Sequence, residues 1–141
     1  MRTRLIALAF GIFVALSALA QTPHTYKVRL SPVAMDAGMR NTVAGEGSAT
    51  ATLTGSKLTI SGTFEGLKSN ATMAHIHQGV AAGVHGPKIL DLTVSKAMSG
   101  NISGSFDLTP EQLENLKKNK LYIQIHSEKA PEGNLWGWLM N

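Results

Sequence analysis

Apolar and polar positions alternate through most of this chain. Ala49, Ala51 and Leu53 alternate with Ser48, Thr50, Thr52 and Thr54; Leu58, Ile60 and Phe64 then alternate with Thr59, Ser61 and Thr63. A period of two with threonine on the second face marks a half-buried strand. Gly55-Ser56 between the two runs marks a hairpin turn. The same reading predicts strands over 26–30, 72–77, 88–94, 100–108, 121–126 and 135–140. One segment breaks the period. In "DLTPEQLENLKKNK" Thr109 is placed to cap a helix, Pro110 suits its first position, and Gln112 completes a capping box. Leu113 and Leu116 give that helix an apolar edge. The whole predicts an all-β fold, an antiparallel Greek-key sandwich or barrel of about eight strands, with one short helix near 110–118.

The first twenty residues follow a different pattern. Arg2 and Arg4 precede an unbroken apolar run that ends in Ala18-Leu19-Ala20. A basic start, an apolar stretch and a small-x-small site describe a secretory signal peptide. Residues 1–20 are therefore expected to be removed, leaving 21–141 as a single exported domain, periplasmic or extracellular, with no stable membrane association. Arg2 and Arg4 account for two of the 13 basic residues, set against 9 acidic ones, so much of the +4 net charge leaves with the signal. No basic run with interleaved aromatics remains, and nucleic acid is not an expected partner.

The chain has no cysteine. An exported domain without disulfides must rely on an ordinary core. A metal site here would draw on histidine, methionine, carboxylate or backbone ligands, and thiolate zinc and blue-copper chemistry are excluded. No nucleophile elbow, phosphate-binding loop or paired-carboxylate site is visible.

The histidines carry the candidate chemistry. Alternation in "TMAHIHQG" puts Ala74 and Ile76 on one face and Met73, His75 and His77 on the other. In "LYIQIHSE", Leu121, Ile123 and Ile125 form the apolar face, with Tyr122, Gln124 and His126 opposite. Three histidines thus lie on the non-core faces of two strands. Two imidazoles spaced one residue apart stand roughly 6–7 Å apart along a strand, which lets both rings converge on one ion. His85 follows two loop glycines and is either a further ligand or a turn residue. Three or four neutral imidazoles suit Cu(II), and also Zn(II) or Ni(II). Met73, on the same face as His75, favours copper through its thioether, unless it only covers the sheet. Met35 and Met39 are further soft candidates. Trp136 and Trp138 share a strand face and are read as covering the barrel end, the other use being an exposed platform.

"AHIHQGVAAGVHGP", followed by "GSFDLTPEQLENLKKNKLYIQIHSEKAPEGNLWGWL", resembles the CHRD domain family, named from chordin. The resemblance spans nearly all of residues 21–141. CHRD domains are distantly similar to the Cu/Zn superoxide dismutase fold. By that likeness His75 and His77 correspond to a copper-ligand pair, His126 to a late-strand ligand and His85 to a loop histidine. The chain departs from the dismutase pattern in the loop after His85, which lacks a zinc-ligand set, and it cannot form the dismutase disulfide. Trp136 stands where CHRD domains usually carry arginine. The resemblance therefore implies a metal-binding protein, with copper the expected ion and zinc the other, that buffers, stores or delivers it. The alternatives are a dismutase-like copper redox enzyme and a domain of purely structural or interaction use.

Overall fold

The computed structural model describes residues 20–141, so the predicted signal segment, Ala20 apart, lies outside the described residues. Eight strands are present: β1 (His24–Pro32), β2 (Glu46–Thr54), β3 (Lys57–Glu65), β4 (Ala71–Gln78), β5 (Lys88–Val94), β6 (Gly100–Asp107), β7 (Leu121–Ser127) and β8 (Ala130–Trp138). They close into a barrel in the order β1-β2-β3-β6-β5-β4-β7-β8. All neighbouring pairs are antiparallel.

The order makes this a Greek key. β4, β5 and β6 are successive neighbours, yet β3 pairs with β6 and β7 pairs with β4. Each is a long return that lays a fourth strand beside the far member of a three-strand meander. One consequence governs the rest: β4 is flanked by β5 and β7, so the two histidine-bearing strands become neighbours.

The alternation sets what goes inside. Tyr26, Val28 and Leu30 from β1, Leu58, Ile60 and Phe64 from β3, Ala74 and Ile76 from β4, and Leu121, Ile123 and Ile125 from β7 share one core. Each large aliphatic side chain so buried contributes about 1.5–3 kcal/mol, and this core replaces the missing disulfides. Gly55 opens the β2–β3 turn with φ 64°, a conformation a two-residue hairpin demands and glycine adopts without strain.

The predicted helix forms as α1 (Pro110–Lys117). Thr109 Oγ1 accepts from the Gln112 amide at 3.1 Å, and Gln112 Oε1 accepts from the Thr109 amide at 3.0 Å. Asn119, with φ 58°, ends the helix in the left-handed conformation. Leu116 anchors α1 in the core, and the helix carries the chain from β6 across to β7.

Two local features differ from the pattern's indication. A one-turn 3-10 helix, Ala37–Asn41, interrupts the β1–β2 connection, its first turn held by Asp36 Oδ1 accepting from the Met39 amide at 3.0 Å. The predicted strand over 135–140 begins earlier, at Ala130, and ends at Trp138. The chain turns at Glu128-Lys129, ahead of Pro131 and Gly133. A register shift between Ile125 and Ser127 takes up the mismatch, as a bulge does.

Candidate metal centre

The ladder registers carry the site residues across the outer wall in rows. Asp91, His75, Gln124 and Trp136 lie side by side on β5, β4, β7 and β8; His77, Tyr122 and Trp138 form the next row, and Met73 faces His126. Residues directly opposite on paired strands share a face, so the outward direction expected for all three histidines is what the structure has.

This outer face is nevertheless not open. His75 and His126 are only 8% and 7% exposed, and Tyr122 and Gln124 are buried as well. Every residue of β7 is buried, although only one of its faces is apolar. The loop after β4 folds back over the wall, and Trp136 and Trp138 close it from the side. The fold-back needs glycine at position 86, where a Cβ would collide with the Gln78 carbonyl. Gly86 is then held twice by one side chain: its amide donates to Tyr122 Oη at 3.0 Å, and Tyr122 Oη donates to its carbonyl at 3.2 Å.

The three rings meet. Candidate ligand atoms of His75, His77 and His126 all lie within 4.8 Å of one another. His75 Nδ1 and His126 Nε2 are 3.2 Å apart. Ring centroids are 5.6 Å apart for His75 and His77, and 5.9 Å for His77 and His126.

Partners on the far side of each ring fix which nitrogen faces inward. His77 Nδ1 lies 2.9 Å from the Gly86 carbonyl, and His126 Nδ1 lies 2.9 Å from the Pro131 carbonyl. A carbonyl can only accept, so both Nδ1 atoms carry the proton and both Nε2 atoms carry a lone pair. His126 Nε2 therefore accepts from His75 Nδ1–H, 3.2 Å away, while His75 Nε2 lies 3.4 Å from the Asp91 carboxylate, within ion-pair distance. The inward atoms are His75 Nδ1, His77 Nε2 and His126 Nε2: two lone pairs and one proton, shared between His75 and His126. His77 Nε2 is buried with no hydrogen-bond partner among the described residues. An unsatisfied buried nitrogen of this kind costs about 1–3 kcal/mol.

The electrostatics favour the neutral form of His75 and His77. Burial pushes His75 down to about 4, helped by the positive charge that His126, Lys88 and His77 can carry and opposed by Asp91. Burial also lowers His77, against the Gly86 hydrogen bond, which raises it. Asp91 is held below its usual range, chiefly by the hydrogen bond from Lys88 at 2.9 Å, and stays ionised beside His75. Neutral imidazoles with converging lone pairs are what a metal ion requires. Outward N–H groups bound to carbonyls and a carboxylate are the usual outer-sphere support.

His85 stands outside the three-histidine group. Its ring stacks on Trp136 with centroids 4.5 Å apart and meets Tyr122 edge-on at 6.2 Å. Met73 lies on the histidine face, opposite His126, and is 49% exposed. Met39 packs against a small cluster of Val33, Val43 and Ala130, and Met35 is exposed. Trp136 and Trp138 pack on the outer wall, not over the barrel end: Trp138 lies 4.4 Å from Tyr122 and Trp136 5.9 Å. The inward positions of that segment belong to Leu135 and Leu139. Glu128 and Glu132 are both exposed, and the Glu132 carbonyl accepts from Gln124 Nε2 at 3.0 Å.

Sequence reasoning did not reach the outer-sphere partners. Gly86, Pro131 and Asp91 sit in a loop, a strand start and a different strand, and the fold-back of the loop, the β7–β8 turn and the β4–β5 register bring them to the rings. Tyr122 was legible on the histidine face, but its clamp on Gly86 was not.

A family model described as the CHRD domain matches residues 27–139. Comparison with curated proteins and with solved structures found no match.

Proposed function

The chain belongs to the CHRD domain family, and we propose that its barrel binds one metal ion, copper, through His75 Nδ1, His77 Nε2 and His126 Nε2. One observation carries this reading. Three ring nitrogens converge; one proton links His75 to His126, and the buried His77 Nε2 is left without a partner among the described residues. A cation satisfies all three at once, whereas a proton satisfies at most two.

The donor set supports the choice of ion. Three nitrogens and no thiolate suit Cu(II) or Zn(II), and the affinity order of divalent ions puts copper ahead at such a site. An ion bound about 2.0–2.1 Å from each nitrogen sets them roughly 3–4 Å apart. The His75–His126 pair is already at 3.2 Å, so small ring movements complete the set. Such an ion would supply a Lewis-acidic or redox-active centre. The chain's own residues hold His77 and His126 in one tautomer and keep His75 and His126 largely buried.

Export is part of the proposal and rests on the signal pattern of residues 1–20. An exported copper-binding domain of this kind buffers, stores or delivers the ion. The test is metal analysis of the chain purified from the extracytoplasmic fraction, with intact mass to locate the mature start at Gln21. One copper per chain, lost on His75→Ala or His126→Ala, is the expected result. Unchanged metal content in both variants would defeat the reading.

A further inference from the structure

His77 bonds the Gly86 carbonyl and stacks on Tyr122, with centroids 5.1 Å apart. His126 bonds the Pro131 carbonyl and is 7% exposed. His75 is as buried, at 8%, but its edge lines a surface groove of about 320 Å³ between β4 and β5, together with Met73, Lys88, Asp91 and Lys96. Met73 is two residues before His75 on the same face, directly opposite His126, and half exposed. The groove therefore presents a thioether at the doorway of a nitrogen site.

Its charge is one-sided. Lys88 is paired with Asp91, and among the described residues no carboxylate lies within ion-pair distance of Lys96. A hydrated divalent cation approaching this groove meets net positive charge, whereas a neutral or anionic complex of a monovalent ion does not. Thioether sulfur selects Cu(I) over harder divalent ions.

On the basis of the metal-centre reading above, we propose that the β4–β5 groove is the loading path for Cu(I) and that Met73 is its landing ligand. The thioether displaces a ligand of the incoming Cu(I) complex. His75 and then the two other rings replace the thioether. The copper stays Cu(I) throughout, and no electron is transferred. Met73 thus acts on the rate and oxidation-state preference of loading, not on the final hold.

The test is anaerobic stopped-flow transfer of Cu(I) from its bicinchoninate complex, followed by loss of the complex's colour. Wild type, Met73→Leu and Met140→Leu are compared, Met140 being an exposed methionine outside the groove. Met73→Leu is expected to slow transfer several-fold, with Met140→Leu unchanged. The equilibrium affinity for Co(II), read from its visible absorption, should be the same in all three. Equal transfer rates in wild type and Met73→Leu would overturn the proposal, as would an equal loss of Co(II) and Cu(I) affinity in Met73→Leu. A wild-type chain that binds neither ion would remove the metal-centre reading too. Co(II) binding with Cu(I) transfer indifferent to Met73 would remove this inference alone.

Discussion

His75 Nδ1 and His126 Nε2 stand 3.2 Å apart although 51 residues separate them in the chain. His126 Nδ1–H donates to the Pro131 carbonyl, so His126 Nε2 accepts from His75 Nδ1–H, with the Asp91 carboxylate 3.4 Å from His75 Nε2. One proton thus sits between the two rings in the metal-free chain, at the place where a metal ion would replace it.

Removal of either ring should therefore cost binding far more than folding topology. His75→Ala and His126→Ala are each expected to weaken Zn(II) and Cu(II) binding by well over tenfold, since even outer-sphere changes cost about 10–100-fold. Competition against a chromophoric chelator measures this, with circular dichroism confirming that the barrel is retained. An affinity within twofold of wild type would sink the assignment of that ring.

Asp91→Asn separates support of the site from support of the fold. The Asp91 side chain is 74% exposed, and surface changes of this kind stay within about 0.5 kcal/mol of wild-type stability. Its loss removes the charge that favours a proton on His75 Nε2 once an ion binds Nδ1, so metal affinity should fall about tenfold while the melting temperature barely moves. Equal affinities in the variant and the wild type would remove Asp91 from the outer sphere.

Gly86→Ala should do the reverse damage. The new Cβ strikes the Gln78 carbonyl, and the loop must lift from Tyr122 and His77. Stability should drop by about 1–3 kcal/mol, with metal affinity falling alongside it. Chemical denaturation and chelator competition on the same preparation give both numbers.

Acid should destabilise the metal-free chain in a defined window. His75 titrates at about 4 when folded and near 6.5 when unfolded. Between those values the unfolded chain binds more protons, so stability falls as pH drops from about 6.5 to 4 and is fully present above 6.5. His77, also lowered, adds in the same direction. Urea titrations from pH 7.5 to 4 should show this slope, and His75→Gln should reduce it. A slope unaltered in His75→Gln would contradict the burial of a neutral ring.

Metal should stabilise the fold. At a free concentration a hundredfold above the dissociation constant, binding contributes about 2.7 kcal/mol, or roughly 10 °C in melting temperature for a domain of this size. Calorimetry with and without Zn(II) checks this, and chelator should reverse it.

The sequence by itself determined the strands, the capped helix, the inward set of apolar residues and the outward direction of His75, His77 and His126. All of these are local: a period of two, a capping box and a turn glycine act within a few residues. It also placed Met73 and Tyr122 on the histidine face. Only the tertiary structure decided that β4 lies beside β7, because a Greek-key return is a choice among pairings that alternation leaves equivalent. Burial of the outer face was likewise settled there. Polar alternation marks a face as uncovered by the core, but it cannot register a glycine loop and two tryptophans folding over it. The tautomers came last, since they depend on the carbonyls of Gly86 and Pro131 and on the facing rings of His75 and His126, brought together from separate segments. His85 shows the same limit from the other side: its glycine-flanked place in the loop left ligand and turn residue both open, and packing stacked it on Trp136.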